Sequence, residues 1–268
     1  MENTNWLKQA SQPLYPDLLW SRPENKAQAG KLLIIGGSSH GFLAPAGAFE
    51  AAGKAGAGTI RVLMPDSLQK TLGKSFMEAD FVPSTPSGSF ARSALAQLIE
   101  GAEWADGVLL AGDFGHNSET AIVLETFLDK FKERVVLAGD SLDYFLQATS
   151  PILHRKNTVL VTELTNLQSL AKNNRPNPPL KSAMDLYALV RVLSEWSKES
   201  PAGFCTSHNE NVVIAKNGNV STTPVESSNL TELAAVLSVW WLQNPTKYFE
   251  SLTTAAWDYH GKTDTPIV

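Results

Sequence analysis

The hydrophobic pattern of the first 65 residues predicts one βαβ unit. Residues 31–36 form an apolar run after Lys31, as expected for a parallel strand that is covered on both faces. The alanine-rich stretch 44–55 predicts a helix that packs closely against the sheet. Apolar residues return over 58–64 as a second strand, which Pro65 ends. The crossover between the two strands should be right-handed.

Strands and helices continue to alternate through the middle of the chain. The predicted strands are 108–111, 135–138 and 158–162. The predicted helices are 118–131, a short one after Asp140, and one from about Asn166. This alternation predicts an α/β fold with a mostly parallel central sheet and helices on both faces.

The last third of the chain predicts another helix and a hairpin. Ser182 starts the helix, and Asp185 follows three residues later in the manner of a capping box. Asn217-Gly218 lies between two strand-like segments and is a strong hairpin signal.

Two helical segments close the chain, one over 230–243 and an amphipathic one over 246–257. No clear linker interrupts the pattern, so residues 1–268 are interpreted as a single domain. Residues 1–22 are interpreted as an N-terminal leader around a small apolar patch.

Composition narrows the classes of partner. The chain has 268 residues, of which 43% are apolar and 18% charged, and its formal net charge is −5. Such a chain has no general attraction for nucleic acid or an acidic membrane, and no apolar run approaches a membrane span. The single cysteine, Cys205, favours a buried thiol in a cytoplasmic protein. Seven tryptophans fit a homo-oligomer interface and core packing equally well.

The first strand runs into a glycine turn, Gly36-Gly37-Ser38-Ser39-His40-Gly41. Such a turn brings backbone N–H groups to a helix N-terminus, where they can bind phosphate or another anion. The dinucleotide fingerprint would need glycine at Ser38, and a P-loop would need Lys and then Ser or Thr after Gly41. Both motifs fail. A lone glycine pair would be only a tight turn, but Gly56-Ala57-Gly58 follows the helix and makes the pattern more specific.

These residues resemble the ADP- or ATP-dependent NAD(P)H-hydrate dehydratases. The resemblance rests on Asn25-Lys26 with Gly30, on LLIIGGS at 32–38 and on GAGTIRVLMP at 56–65, and it extends over roughly 22–245. It implies a ribokinase-like fold, ATP or ADP with Mg, and NAD(P)H hydrate or another small nucleotide-like ligand. In that chemistry a hydroxyl is phosphorylated and phosphate is then eliminated. The binding residues that the resemblance implies are Gly36, Gly37, Ser38, Ala44, Gly115, Asp140, Glu163 and Asn229.

Several motifs of that family are altered here. Its Gly-Pro-Gly-Leu-Gly loop corresponds to residues 111–115, where Asp113 adds a negative charge, and its Asp-Ala-Asp motif keeps only Asp140. A lone aspartate at a strand end is often a helix N-cap. The substrate histidine of its Leu-Thr-Pro-His motif is replaced by Glu163, and its nucleotide lysine falls in the lysine-free segment 206–209. His208 in that segment is expected to be exposed.

The largest departure is at the start of the helix over 230–243. The family has Gly-Ser-Gly-Asp there, with glycine amides that form an anion hole and an aspartate base. The corresponding residues are Ser228-Asn229-Leu230-Thr231, so Thr231 occupies the aspartate position and cannot act as a base. Asn229 with Glu232 predicts a helix N-cap and capping box instead.

Three functions remain open on these residues. The first is the nucleotide-dependent dehydratase activity that the resemblance implies. The second is a non-catalytic relative that binds a ligand or a partner protein, which the four altered motifs favour. The third is a ribokinase-like small-molecule kinase with a relocated base, for which Asp113, His116, Asp140 and Glu163 are candidates because each follows a strand end. No spacing predicts a metal site.

Overall fold

The computed structural model describes residues 5–146, 151–181, 183–226 and 228–263. Within them, ten strands form one sheet in the order β1-β10-β9-β8-β7-β6-β5-β2-β3-β4. The strands are β1 (Asn5–Lys8), β2 (Lys31–Gly36), β3 (Thr59–Pro65), β4 (Ala79–Val82), β5 (Gly107–Gly112), β6 (Val135–Leu137), β7 (Thr158–Val161), β8 (Gly203–His208), β9 (Asn211–Lys216) and β10 (Asn219–Pro224). The helices are α1 (Asp17–Trp20), α2 (Leu43–Lys54), α3 (Gln69–Leu72), α4 (Leu95–Trp104), α5 (Ser118–Lys130), α6 (Leu164–Asn174), α7 (Leu186–Glu199), α8 (Leu230–Gln243) and α9 (Tyr248–Thr263).

The predicted fold class is confirmed. Neighbouring strands run parallel throughout the sheet, except that β9 runs antiparallel to both β8 and β10. The β9–β10 turn contains Asn217 and Gly218 with φ of 50° and 83°, the left-handed conformations that this dipeptide adopts in a tight hairpin.

Helices cover both faces of the sheet because the strand side chains alternate between them. Helices α2, α8 and α9 pack on one face, against residues such as Ile34, Leu109 and Val161. Helices α4, α5, α6 and α7 pack on the other face, against residues such as Ile35 and Leu110. Cys205 is fully buried, as predicted. Trp240 and Trp241 of α8 are also buried, so both contribute to the core.

The second glycine element holds the start of the sheet together. Gly58 donates from its backbone N to the carbonyl oxygens of Ala29 (3.3 Å) and Gly30 (3.1 Å). A Cβ added at Gly58 would lie 2.8 Å from the Gly30 carbonyl oxygen and closer still to that of Lys26. Only glycine allows this close approach. Gly58 and the segment that contains Gly30 therefore hold β3 beside β2.

One predicted helix boundary is wrong. Ser182 lies outside the described residues, and α7 begins at Leu186 rather than at 182. Asp185 is its N-cap, because its carboxylate accepts a 2.7 Å hydrogen bond from the backbone N of Ala188. The aspartate therefore starts the helix instead of completing a capping box within it.

The parallel strands bring the candidate segments to one edge of the sheet. The carboxyl ends of β2, β5, β6, β7 and β8 lie side by side there, which is where open α/β sheets bind ligands. The opposite end of β8 lies beside Lys216 at the end of β9. Among the described residues, no helix has the length and apolar character needed to cross a membrane.

Candidate functional site

A pocket of about 330 Å³ opens at the carboxyl ends of β6, β7 and β8, beside the start of α8. Three positions singled out from the sequence, Glu163, Asn229 and Thr231, lie in its wall. The lining residues are Gly139, Val161, Thr162, Glu163, Asn166, Ser207, Ser228, Asn229, Leu230 and Thr231. Most of these side chains carry a hydroxyl, amide or carboxyl group, so the pocket offers hydrogen bonds rather than an apolar surface.

The start of α8 is capped by its own side chains. The Oδ1 of Asn229 accepts hydrogen bonds from the backbone N of Thr231 (3.1 Å) and of Glu232 (3.3 Å). This is the N-cap expected from the sequence. The capping box is different from the predicted one, because Glu232 accepts from the Asn229 side-chain amide (3.1 Å). The backbone N of Asn229 instead donates to the Tyr259 hydroxyl (3.1 Å).

Thr231 cannot supply a base at this position. Its hydroxyl is half-buried and lies 3.5 Å from the carbonyl oxygen of Ala111 at the end of β5. An aliphatic hydroxyl does not ionise near neutral pH, and general base catalysis needs a group with a pKa near the working pH. The Thr231 side chain therefore connects α8 to β5 without offering an acceptor for a substrate proton.

The glycine turn uses its donors internally. The backbone N atoms of Gly37, Ser38 and Ser39 donate to the carbonyl oxygens of Gly112 (2.9 Å), Gly41 (2.8 Å) and Gly88 (2.9 Å), respectively. Gly36 and Gly37 are buried, and Ser38 is only 1% exposed. Gly37 has φ of 95°, which favours glycine. The turn is thus a packed junction between β2, β5 and the loop that contains Gly88.

A carboxylate occupies the N-terminus of α2. Asp113, which the sequence placed in the loop over residues 111–115, has φ of 62° and accepts a 2.8 Å hydrogen bond from the backbone N of Ala44. A carboxylate is stabilised there because the helix dipole is positive at that end. The Ala44 amide is therefore already bonded to an anion of the same chain.

A second carboxylate holds the loop after β5. Asp140 accepts from the backbone N of Phe114 (3.0 Å) and of Gly115 (3.4 Å). Burial raises the pKa of the Asp140 carboxyl above its usual range, and the hydrogen bonds from Gly115 and Phe114 oppose that rise. The expectation that Asp140 caps its own helix is wrong. Ala138 is at the N-cap position of the 3₁₀ helix Gly139–Phe145 and makes no side-chain cap.

One feature of this edge was missed from the sequence. The hydroxyl-rich loop 84–90 folds over the glycine turn, with the Ser39 hydroxyl donating to the Ser87 carbonyl oxygen (2.8 Å). A Cβ on Gly115 would lie 2.9 Å from the Ser89 Oγ. The run of serines around Pro86-Ser87-Gly88 indicates a turn, but no local pattern shows which segment it contacts.

His208 is partly buried, so the prediction of an exposed histidine is wrong. Its Nε2 lies 2.8 Å from the carbonyl oxygen of Met184. The reason is that residues 203–208 form β8, a strand not predicted from the sequence, which carries His208 against the segment before α7. The imidazole thus contacts the backbone and does not line the pocket.

Comparison with known proteins gives the fold a name. No protein-family model matches the chain. The bifunctional NAD(P)H-hydrate repair enzyme of Methanothermobacter thermautotrophicus is 32% identical over 121 residues, which cover 44% of this chain and 23% of that enzyme. The match spans less than a quarter of that relative's length. A ribokinase-like superfamily protein from Enterococcus faecalis superposes with a TM-score of 0.72 at 17% identity, over 100% of this chain and 93% of that one. The chain has the ribokinase-like fold.

A second similar structure is the ADP/ATP-dependent NAD(P)H-hydrate dehydratase of Bacillus subtilis, co-crystallised with ATP and Mg²⁺. It superposes with a TM-score of 0.65 at 12% identity, over 93% of this chain and 87% of that one. The resemblance predicted from the glycine segments is therefore confirmed. The likeness to these solved structures concerns the fold, and the activity of this chain is a separate question.

The pocket offers few groups for the phosphates of ATP. Phosphate sites use cationic side chains or free backbone N–H groups. No lining residue among those described is lysine or arginine, and the first-turn amides of Thr231 and Glu232 already bond Asn229. Across the described part of the chain, no group of three or more His, Cys, Asp or Glu side chains is placed to hold a metal ion.

Proposed function

We propose that this ribokinase-like protein is a non-catalytic relative of the NAD(P)H-hydrate dehydratases and acts by binding a small ligand or a partner protein. The observation that carries the proposal is the cap on α8, in which Asn229 holds the amides of Thr231 and Glu232. In the family that the sequence resembles, this helix start holds an anion hole and an aspartate base. Here the amides are bonded and the base position holds a threonine.

The charges around the crevice support the same proposal. The carboxylates of Asp113, Asp140 and Glu232 accept hydrogen bonds at the start of α2, in the loop after β5 and at the start of α8, respectively. A phosphate placed among them would be repelled by charge. Loss of a general base costs about 10²–10⁴-fold in rate, and loss of an anion-hole donor costs about 10²–10³-fold.

One observation favours the alternative of a small-molecule kinase with a relocated base. Asp140 lies at the carboxyl end of β6 beside Gly139 of the pocket, and burial raises its pKa. A raised pKa is common among catalytic carboxyl groups. The hydrogen bonds from Phe114 and Gly115 stabilise the charged carboxylate, so they lower its pKa and weaken it as a base.

The test is a repair assay on the purified chain. Hydrated NADPH is incubated with the protein and ATP or ADP, and the return of the reduced-nicotinamide absorbance is followed, together with the release of ADP or AMP. The Bacillus subtilis dehydratase, assayed in parallel, shows that the hydrate and the nucleotide are intact. We expect no turnover above the buffer rate. Turnover of about one per second or more would be enzyme-like and would sink the proposal.

Nucleotide consumption separates the two alternatives. Loss of ATP without repair of the hydrate would favour a kinase, and the variant Asp140→Asn should then abolish it. Asp113→Asn is the matched variant, because it changes a neighbouring carboxylate that caps α2 instead.

A further inference from the structure

The pocket beside α8 carries one charged lining side chain among the described residues, and that charge is negative. Glu163 lies at the N-cap position of α6 but makes no capping hydrogen bond. No described residue pairs with its carboxylate in a hydrogen bond or salt bridge. A carboxylate at the wall of a polar pocket, without a partner in the protein, is available to a cationic ligand.

Neutral hydrogen-bonding groups surround that carboxylate. The side chains of Thr162, Asn166, Ser207 and Ser228 line the pocket, and none of them hydrogen-bonds another described residue. Each can donate to and accept from a ligand. A ligand that matches them carries hydroxyl or amide groups in addition to its charge, because polar groups left unpaired in a pocket cost affinity.

The size and the charge together define a ligand class. At about 330 Å³ the pocket lies at the small end of ligand sites, which span about 300–1,000 Å³. Glu163 and the nearby Glu232 repel an anion, and Asn229 already bonds the two helix amides that would stabilise one. The same wall that does not fit a phosphate therefore fits an ammonium group.

We infer that this pocket binds a small organic cation, a protonated amine that also carries hydroxyl groups, with its ammonium group at Glu163. The inference rests on the proposed non-catalytic function, because it names the ligand of the pocket from which phosphoryl transfer has been lost. It assigns to Glu163 a binding role through its own charge.

The experiment compares three ligands that differ in charge at one position. Adenosine, 5′-amino-5′-deoxyadenosine and AMP share one hydroxyl-bearing skeleton and are neutral, cationic and anionic at the 5′ position. Calorimetric titration of the full chain should give affinity in the order amine, neutral nucleoside, AMP. One full charge at about 4 Å in water is worth about 1 kcal/mol, so the amine should bind about fivefold more tightly than adenosine.

Two variants test whether Glu163 supplies the negative charge that binds the amine. Glu163→Gln should remove the fivefold preference for the amine over adenosine. Glu125→Gln is the matched control, since Glu125 is an exposed carboxylate of α5 that does not line the pocket. Its titrations should match those of the wild type.

Three results would overturn the inference: no binding of the amine at millimolar concentration, AMP binding at least as tightly as the amine, or a preference that survives Glu163→Gln. The proposed function has its own test, because repair of hydrated NADPH does not involve the amine. If the amine does not bind and hydrated NADPH is not repaired, the inference about the ligand is wrong but the proposed non-catalytic function still stands.

Discussion

Three side-chain oxygens in the crevice accept hydrogen bonds from backbone amides that a bound anion could otherwise use. Asn229 accepts from the first turn of α8, Asp113 from Ala44 at the start of α2, and Asp140 from the loop at Phe114. Each satisfies a donor that would be costly to leave unpaired. The crevice is therefore stable without a ligand anion, whereas an open anion hole needs one or needs water.

Asn229→Ala should destabilise the protein. It removes the acceptor of two amides at the start of α8, and loss of an N-cap lowers the free energy of unfolding by about 1 kcal/mol. Urea titration followed by circular dichroism measures the change. Asn229→Asp keeps the acceptor and should stay close to the wild type. Equal stability of the alanine variant would show that the cap does not contribute.

Replacing Gly58 or Gly53 by alanine should change the stability of the protein in opposite directions. Gly58→Ala should lower the free energy of unfolding by about 1–3 kcal/mol, because the new Cβ meets the Gly30 and Lys26 carbonyl oxygens. Gly53→Ala on the exposed side of α2 meets nothing within 4 Å and should raise stability by about 0.5–1 kcal/mol. Thermal unfolding of both variants measures the difference. Unchanged stability of Gly58→Ala would mean that Gly58 is replaceable.

At the scale of helices and strands, the local sequence pattern predicted those elements whose signals were strong. The helix over 230–243 has the bounds that the sequence predicted, since an N-cap precedes its apolar run, and the hairpin follows from Asn217-Gly218. Strand β1 and helix α4 were not predicted. The four residues of β1 are mostly exposed at the sheet edge and carry little hydrophobic signal. Their structure depends on pairing with β10, which is distant in the sequence.

The β9–β10 hairpin carries a lysine whose burial should make stability depend on pH. Lys216 is 7% exposed, donates to the Pro201 carbonyl oxygen, and has its Nζ 4.7 Å from the centre of the Tyr248 ring. Burial lowers the pKa of Lys216 from 10.5 to about 8. Unfolding restores the ordinary value, so the unfolded chain binds the extra proton between these two pH values. The free energy of unfolding should therefore rise with pH across that window.

Lys216→Met should remove this contribution. Denaturant titrations at several pH values between about 7.5 and 10.5 should show a smaller rise for the variant than for the wild type. Lys130→Met, at the exposed end of α5, is the control and should follow the wild type. Parallel curves for Lys216→Met and the wild type would mean that the lysine keeps its proton equally well in both states.

At the scale of the molecule, topology explains how much of the site the sequence could predict. Parallel strands place their carboxyl ends at one edge, so Glu163, Asp140 and Asn229 were expected near one another. The hydrogen-bond partners of each side chain could not be predicted from the sequence. Asp113 has a positive φ and bonds Ala44, which is 69 positions away in the chain, and the 84–90 loop covers the glycine turn through contacts between distant segments. Such contacts depend on the assembled fold.

Adenine nucleotides should not stabilise this molecule. ATP at millimolar concentration should leave the melting temperature unchanged relative to a buffer of matched ionic strength, because the capped α8 and the acidic crevice do not accept phosphates. A nucleotide present at a hundred times its Kd would add about 2.7 kcal/mol and give a clear upward shift. Such a shift would show that nucleotide binding survives in this fold.

The pairing of β1 with β10 also has a consequence for the order of folding. Asn5 lies opposite Asn219 and is bonded to it, 214 positions along the chain. Residues 5–8 are synthesised well before their strand partner, which lies 214 positions further along the chain. Strand β1 is therefore synthesised early but joins the sheet only after β10 has formed, and until then its backbone donors and acceptors lack their strand partner.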